Sequence, residues 1–295
     1  MKVRIGIGSS GRNMDSAQLE QLCVAMMEPR FDSIWIPEVL TQPGLDPLVS
    51  LAWLAGRLPR LKIGTTFLVP GRNVLRLARQ LAALDHLSDG RLLLTAVPGL
   101  PRGGEATASG VAPADRGKAI DESLPILRSL MSGVPTDVPG ALGNTPGVVL
   151  DPVPLQQPLE IWLGGSAPGA IDRCGRLGDG WLPAMITPEQ ALAGRMAIEE
   201  VAAEHNRSID PEHFGVSIGY STDPIPTEVA DQLRLRARRE DLDSVVPVGL
   251  EKVRTLLERY VDVGFSKFVL RPLMPVRRWE DELAALAEGV GSVQT

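Results

Sequence analysis

The feature that most constrains the fold of this chain is a regular alternation, from end to end, of short apolar runs with longer amphipathic segments. Several of the short runs are almost continuous Val, Ile and Leu, which is typical of parallel strands covered on both faces. Eight such runs, each followed by a helical pattern, predict a (β/α)8 TIM barrel, with an open doubly wound sheet as the alternative. The predicted strands are Val3–Ile7, Ser33–Pro37, Lys62–Val69, Arg91–Val97, Glu160–Gly164, Gly180–Pro183, Phe214–Tyr220 and Lys267–Arg271.

Helices are predicted between these strands from apolar spacing and from capping residues. Asp46 is expected to cap a helix that has Pro47 at its first position and runs to Leu58. Thr187 and Gln190 form the pattern of a capping box at the start of another helix. The other predicted helices are Asp15–Glu28, Asn73–Leu87, Pro113–Ser132, Ala167–Leu177, Thr187–Asn206, Gly249–Val263 and Trp279–Val290.

Two stretches interrupt the alternation and are predicted to be insertion segments. Residues 133–159 are rich in Gly and Pro and are expected on the barrel rim, and residues 221–247 lie between the seventh and eighth predicted strands. No stretch has the composition of a linker between domains. Residues 1–295 are therefore predicted to form one TIM-barrel domain, a size that fits a barrel of about 250 residues plus insertions.

The charge balance and the cysteine and histidine patterns exclude several classes of function. The chain has 30 Lys and Arg against 36 Asp and Glu, so it lacks the basic character that nucleic acid requires. Cys23 and Cys174 share no metal-ligand spacing and the three histidines form no zinc motif, so no metal site is expected. The chain opens on a predicted strand and contains no apolar run of membrane length, so we expect a cytoplasmic protein that does not interact with membranes.

In a barrel of this kind, functional residues lie where the strands end. Gly164-Gly165-Ser166, between a strand and a helix, is either a phosphate cradle of backbone N–H groups or a tight turn. Glu38, after strand two, is either a carboxylate that accepts hydrogen bonds or relays a proton, or part of a rim salt bridge. Thr65-Thr66-Phe67, in strand three, is by itself typical of a β-branched core segment.

An ordered set of motifs relates the chain to a known family. The motifs are FDSIWIPE, DPLVSLAWLAGR, LKIGTTFLVPGRN, ARQLAALDHLSDGRLLLTAVPG, E-x-x-x-x-G with Arg116 beyond it, QQPLEIWLGGSAPGAIDRCGRLGDGWLPA and TPEQ. In this order they resemble the bacterial luciferase-like monooxygenase superfamily, and in particular its branch of F420-dependent oxidoreductases. The resemblance runs from residue 3 to about residue 200 and returns at Gly249–Leu270.

The resemblance implies a TIM barrel with an insertion segment and a reduced flavin or deazaflavin at the C-terminal mouth. It places the cofactor phosphate near the loop and helix after strand five, and the ring against the loop after strand four. It also implies a non-prolyl cis peptide bond in strand three, which matches Thr66–Phe67 here, and it makes Glu38 the candidate catalytic residue. The residues predicted to bind the cofactor are therefore Ser9, Glu38, Thr66, Phe67, Val97, Pro98, Gly99, Gly164, Gly165, Ser166 and Ala167.

The implied activity is hydride transfer between the deazaflavin F420 and a small organic substrate, with FMN as the alternative cofactor. Arg12, Arg72 and Arg102 are predicted near the mouth, where they either meet the acidic tail of F420 or are solvated. The His that follows the strand-two acid in several relatives is absent, because Val39 follows Glu38. A Glu found after strand four in some members is also missing, since Leu100 stands near that place. An unsaturated or otherwise electrophilic substrate is therefore favoured over a sugar phosphate.

Three other functions stay open at this stage. An FMN-dependent luciferase-like monooxygenase differs in its cofactor and in its consumption of oxygen. A non-catalytic barrel that binds deazaflavin or another ligand is compatible with the missing His and Glu. An isomerase or aldolase that uses a Schiff base is disfavoured, because Lys62 and Lys267 begin their strands and so lie away from the mouth. The resemblance also implies a homodimer.

Overall fold

A computed structural model describes residues 1–9, 14–28, 30–140, 142–237 and 240–295 of the chain. Its strands are Arg4–Gly8 (β1), Ser33–Trp35 (β2), Lys62–Leu68 (β3), Leu92–Val97 (β4), Thr136–Val138 (β5), Thr145–Val148 (β6), Ile161–Leu163 (β7), Gly215–Tyr220 (β8) and Lys267–Pro272 (β9). Seven of them form one parallel sheet in the order β7-β4-β3-β2-β1-β9-β8. The remaining two, β5 and β6, pair as an antiparallel hairpin.

The segment 180–184 closes this sheet into a ring. Trp181 pairs with Leu163 of β7 on one side and with Phe214, just before β8, on the other. The segment forms isolated bridges, so the prediction of a regular strand over Gly180–Pro183 is wrong. Pro183 has no N–H group to donate to a ladder, although its carbonyl accepts a hydrogen bond from the Ser217 N–H at 2.8 Å. The predicted (β/α)8 barrel is confirmed, with bridges in the place of its sixth strand.

The helices follow the strands as the spacing predicts. Asp46 accepts a hydrogen bond from the Val49 N–H, and Thr187 and Gln190 form the predicted capping box. The short helix α4 was not predicted, because four residues carry no periodic signal. The helices are Ser16–Ala25 (α1), Pro47–Arg57 (α2), Val74–Leu87 (α3), Glu105–Ala108 (α4), Arg116–Met131 (α5), Pro168–Leu177 (α6), Pro188–Glu204 (α7), Thr227–Ala237 (α8), Leu250–Asp262 (α9) and Trp279–Val290 (α10). Within the described ranges, no helix is long and apolar enough to cross a membrane.

The hydrophobic core has one layer between the sheet and the helices and a second layer inside the barrel. The inner layer contains Trp35 of β2, which packs with Leu182 and Val269. A glycine on the neighbouring strand makes room for the indole, because a Cβ atom at Gly64 would lie 2.4 Å from Trp35 Cδ2. The indole N–H donates to Ser33 Oγ at 3.0 Å. Side chains therefore fill the barrel interior below the mouth.

The two predicted insertions lie at opposite ends of the barrel. Residues 133–159 carry the β5–β6 hairpin and pack at the N-terminal ends of the strands, where Gln156 Nε2 donates to the carbonyl of Leu92 at 3.0 Å. Residues 221–247 follow β8 at the C-terminal end and contain α8. A small apolar cluster in this second segment packs against Met185 and Leu273 and consists of Leu233, Leu242, Val245 and Val246. The second segment therefore borders the mouth.

The fit of Trp35 against Gly64 leads to a stability prediction with a matched control. We expect Gly64→Ala to lower the free energy of unfolding by about 1–3 kcal/mol, because the added methyl group overlaps the indole. Gly56 lies at an exposed position of α2 with open space around a new Cβ, so Gly56→Ala should raise the free energy of unfolding by about 0.5–1 kcal/mol. Urea unfolding of both variants measures the difference. A Gly64→Ala protein as stable as the wild type contradicts the packing described above.

Candidate active site at the barrel mouth

The candidate site residues lie along one half of the C-terminal mouth. They follow the ends of β7, β4, β3, β2 and β1, which are consecutive neighbours in the sheet. The register brings the strand ends together, since Val97 pairs with Leu68 and Gly8 with Trp35. Residues that are far apart in the sequence therefore form one continuous arc, as the strand-end rule predicts.

The loop after β7 is an open turn that leads into α6. Gly165 has a φ of +98° and its carbonyl accepts a hydrogen bond from the Trp181 indole at 2.8 Å. Gly165, Ser166 and Ala167 are exposed, and Ala167 caps α6 without a side-chain hydrogen bond. The N–H groups of Ser166 and Ala167 donate to no oxygen in the part of the chain that the structure describes. Free N–H groups at the start of a helix favour an anion.

Three buried hydroxyl groups on the strands of this arc lack a hydrogen-bond partner among the described residues. They are Thr95 Oγ1 on β4, Ser9 Oγ after β1 and Thr65 Oγ1 on β3, and all three side chains are fully buried. A Cβ atom at Gly164 would lie 3.6 Å from Thr95 Cγ2 and 2.7 Å from Val97 Cγ1, so only a glycine fits against Val97 here. An unsatisfied buried hydroxyl costs free energy, and these three groups have no open surface at which a ligand could offset that cost.

Glu38 is buried behind the mouth with both carboxylate oxygens engaged. Its Oε2 accepts a hydrogen bond from the Leu68 N–H at 2.7 Å, and its Oε1 pairs with the Arg72 guanidinium. Its own N–H donates to the Thr66 carbonyl at 2.8 Å. Burial raises the pKa of the Glu38 carboxyl above its usual value, because desolvation outweighs the effects of Arg72 and of the Leu68 N–H. The geometry combines the two sequence interpretations, because the carboxylate accepts a hydrogen bond from the Leu68 N–H and forms a salt bridge with Arg72; a proton-relay role stays a prediction.

The end of β3 differs from what the family resemblance implies. Among the described residues the cis peptide bonds are Asp151–Pro152 and Gln157–Pro158, so the expectation of a cis bond at Thr66–Phe67 is wrong. β3 pairs with β4 in unbroken register from Ile63 to Leu68, which leaves no bulge at this point. Thr66 is partly exposed at the mouth, whereas the Phe67 side chain is fully buried in the outer core layer. Only backbone atoms of Phe67 are therefore available to a ligand.

A buried arginine holds the loop that follows β4. Gly99 has a φ of +79°, and a Cβ atom there would lie 2.3 Å from Leu68 Cδ2. Arg116, at the start of α5, donates to the carbonyls of Pro98 at 3.2 Å, Leu100 at 2.9 Å, Glu105 at 2.6 Å and Val111 at 3.2 Å. In the sequence, Arg116 stands out only as part of a motif, through its position after Glu105 and Gly110.

The predicted arginines of the mouth have different surroundings. Arg72 is paired with Glu38, so its charge is largely compensated. Arg102 is exposed in the loop after β4, and Arg12 lies outside the described residues. On the opposite half of the mouth, Arg271 Nε donates to Ser217 Oγ at 2.8 Å. This second half borders the apolar cluster of residues 221–247.

A cavity of about 230 Å³ opens at the other end of the barrel, among the first residues of the strands. Trp35 forms part of its lining, and two of its cations are paired: Arg4 with Glu212 at 3.0 Å, and Lys267 with Asp32. Burial lowers the pKa of Lys267 to about 8, against the opposing effect of Asp32. Because this end of a barrel contributes to stability and the strand ends carry function, the mouth is the candidate site.

Comparisons with known proteins identify the family and agree with the fold. Residues 3–261 match the profile of the luciferase-like monooxygenase family. An F420-dependent glucose-6-phosphate dehydrogenase of Kineococcus radiotolerans is 28% identical over 61% of this chain and 56% of its own length. The F420-dependent glucose-6-phosphate dehydrogenase 2 of Rhodococcus jostii is 27% identical over 76% of this chain and 70% of its own. The chain thus spans little more than half of the first relative and about two thirds of the second.

A solved structure shares the architecture over its whole length. An F420-dependent secondary alcohol dehydrogenase in complex with an F420–acetone adduct superposes with a TM-score of 0.81, covering 100% of both chains at 19% identity. At this identity the likeness shows the fold alone. The family match, by contrast, covers most of the sequence. The chain therefore belongs to the luciferase-like monooxygenase family.

Proposed function

We propose that this chain is an F420-dependent oxidoreductase that transfers a hydride between the deazaflavin and a small organic substrate. The observation that carries the proposal is the exposed turn at residues 165–167, where the N–H groups of Ser166 and Ala167 at the start of α6 donate to no oxygen of the described residues. F420 carries a phosphate group that such a turn accepts. The names of two curated relatives and of one solved structure support the same cofactor.

The residues of the arc fit a bound phosphate and ring. Gly165, Ser166 and Ala167 would hold the phosphate through backbone N–H groups, and Val97, Pro98 and Gly99 would line the ring. Ser9 Oγ and Thr95 Oγ1 are fully buried beside the arc, so they would reach a cofactor only after a local movement of the mouth. Bound F420 supplies a carbon that donates or accepts hydride, so the chain's own residues have to position the reactants and exclude water.

Glu38 acts in this proposal as a residue that supports the site from behind. Both of its carboxylate oxygens are engaged, by the Leu68 N–H and by Arg72. An ion pair at this point fixes the end of β3 next to Thr66, and it occupies the carboxylate that a proton relay would need. The catalytic role considered for Glu38 from its sequence position is thus replaced by a positioning role.

The substrate side of the mouth is assigned to the half formed by β8, β9 and residues 221–247. Its apolar cluster contacts Met185 and Leu273, and Arg271 is half-buried beside it. This setting suits a small organic molecule with an apolar part. The missing His after Glu38 and the Leu at position 100 favour an electrophilic substrate over a sugar phosphate. A homodimer and a cytoplasmic location, both expected from the sequence, stay part of the proposal.

Cofactor binding by the wild-type protein tests the proposal directly. In fluorescence titrations with F420 and, in parallel, with FMN, we expect the Kd for F420 to be at least about tenfold lower, a difference of about 1.4 kcal/mol. A preference for FMN moves the assignment to a luciferase-like monooxygenase and to oxygen-consumption assays. Binding of neither cofactor removes the functional proposal, and binding without turnover of any acceptor leaves a non-catalytic barrel.

The phosphate assignment is tested by placing a negative charge in the turn. Ser166→Asp should weaken F420 binding by about tenfold or more, because two like charges about 4 Å apart repel by roughly 1–4 kcal/mol at a protein surface. Ser208→Asp, an exposed position before β8 at the far end of the barrel, makes the same change in charge and should alter the Kd less than about twofold. Equal effects of the two variants contradict the assignment.

The buried carboxylate of Glu38 predicts a particular dependence of stability on pH. A raised pKa means that the folded state holds the proton more tightly than the unfolded state, so the wild type loses stability as pH rises from about 4.5 through the raised pKa. Glu38→Gln cannot titrate and lacks this loss. Urea unfolding at pH 4 and pH 7 should show the stability of the wild type, relative to Glu38→Gln, falling as pH rises. If the stability of the wild type relative to Glu38→Gln instead increases from pH 4 to pH 7, the attraction of Arg72 outweighs desolvation in setting the Glu38 pKa.

A further inference from the structure

Two buried charged residues, Glu105 and Arg116, lie between the loops that follow β2 and β4. They are 4% and 2% exposed. The part of the chain that the structure describes places no side chain of opposite charge within 4 Å of either one, and each is satisfied by backbone groups instead. Burying a charge is costly unless hydrogen bonds compensate it, so both positions are built to hold a particular backbone arrangement.

Glu105 reaches from the loop after β4 to the loop after β2. Its Oε1 accepts a hydrogen bond from the Leu40 N–H at 3.2 Å. Its Oε2 accepts hydrogen bonds from the Thr41 N–H at 3.1 Å and from the Thr41 hydroxyl at 3.0 Å. The two loops also touch, because a Cβ atom at Gly104 would lie 3.2 Å from Thr41 Cγ2. Residues 64 and 65 positions apart in the sequence are thus joined by three hydrogen bonds to one carboxylate.

The Arg116 guanidinium donates hydrogen bonds to backbone carbonyls of the same loop. It binds four of them, between Pro98 and Val111, and one of the four belongs to Glu105 itself. The chain of contacts therefore runs from the Arg116 guanidinium through the backbone of Glu105 and its carboxylate to Leu40 and Thr41. A planar guanidinium with five donors suits this task, and a lysine ammonium does not.

We propose that Glu105 and Arg116 are positioning residues that hold the loops after β2 and β4 as a single unit at the mouth. The consequence for cofactor affinity rests on the proposed function, because the loop after β4 is the one that would line the ring. The mechanical coupling of the two loops does not rest on it. The two parts can therefore be tested separately.

Hydrogen exchange tests the coupling without any cofactor. Arg116→Met removes a side chain that hydrogen-bonds to neither Leu40 nor Thr41, yet it should speed exchange at both amides by about tenfold or more, since Glu105 loses its support. Glu105→Gln should likewise speed exchange at the amides of Ala106 and Ala108, which donate to the carbonyls of Gly103 and Gly104 and not to the Glu105 carboxylate. If each variant changes exchange only in the loop that its own side chain contacts, the coupling is wrong.

The matched control lies on the same helix. Arg128, near the other end of α5, donates to the Leu177 carbonyl at 2.9 Å and to Asp179 Oδ2 at 2.6 Å, at the far side of the barrel from the mouth. Arg128→Met should leave exchange at Leu40 and Thr41 unchanged. Equal acceleration in both arginine variants shows general destabilisation and overturns the proposal. If Arg116→Met does not fold, Arg116→Lys and Glu105→Gln carry the same test.

Titration with F420 provides the second readout. Arg116→Met and Glu105→Gln should each raise the Kd by about tenfold or more, and Arg128→Met by less than about twofold, with urea unfolding of each variant confirming that it is folded under the titration conditions. Unchanged affinity in the first two variants overturns the positioning role. If the wild type itself does not bind F420, the proposed function fails, and hydrogen exchange still decides whether the loops are coupled.

Discussion

The closure of the barrel at Trp181 is the interaction on which the rest of the site depends. Its backbone pairs with β7 and with the residue before β8, so the ring of strands is complete at this point. Its indole donates to the carbonyl of Gly165, the residue with positive φ at the start of the turn before α6. One residue thus completes the fold and orients the turn proposed to bind phosphate. A closed ring also places every strand end at the same mouth, which brings residues 9, 38, 66, 97 and 164 together.

Charges behind the mouth are used to hold backbone in place. Glu38 accepts from the Leu68 N–H, Glu105 accepts from two amides of the neighbouring loop, and Arg116 binds four carbonyls. Every guanidinium nitrogen and every carboxylate oxygen of these three groups has a partner, and well-satisfied buried polar groups make their surroundings rigid. On the proposed function, these groups hold the backbone and do not move protons. Such a mouth suits a reaction in which the cofactor carries the chemistry and the protein supplies geometry.

Local sequence signals predicted most helices and strands correctly. They could not predict contacts between residues that are far apart in the sequence. The caps at Asp46 and Thr187 depend on residues three positions away, so the sequence alone contains them. The strand predicted at Gly180–Pro183 was wrong because Pro183, which has no N–H group to donate, interrupts the ladder. The roles of Glu38 and Arg116 depend on partners that only the closed barrel brings near. The cis bond at Thr66–Phe67 was carried over from the family, and no local feature of this chain supported it.

The two halves of the mouth also explain why the sequence indicates a cofactor more clearly than a substrate. Most motifs of the family resemblance lie between residue 3 and about residue 200, which supply β1, β2, β3, β4 and β7 and their loops, whereas the returning stretch Gly249–Leu270 adds only α9 and part of β9. That half works through backbone groups and glycines, and their spacing leaves a readable pattern. The other half is formed by β8, β9 and residues 221–247, where an apolar cluster and Arg271 present side chains. Side-chain surfaces of this kind leave no fixed motif, so on the proposed function the substrate has to be found by experiment on that half of the mouth.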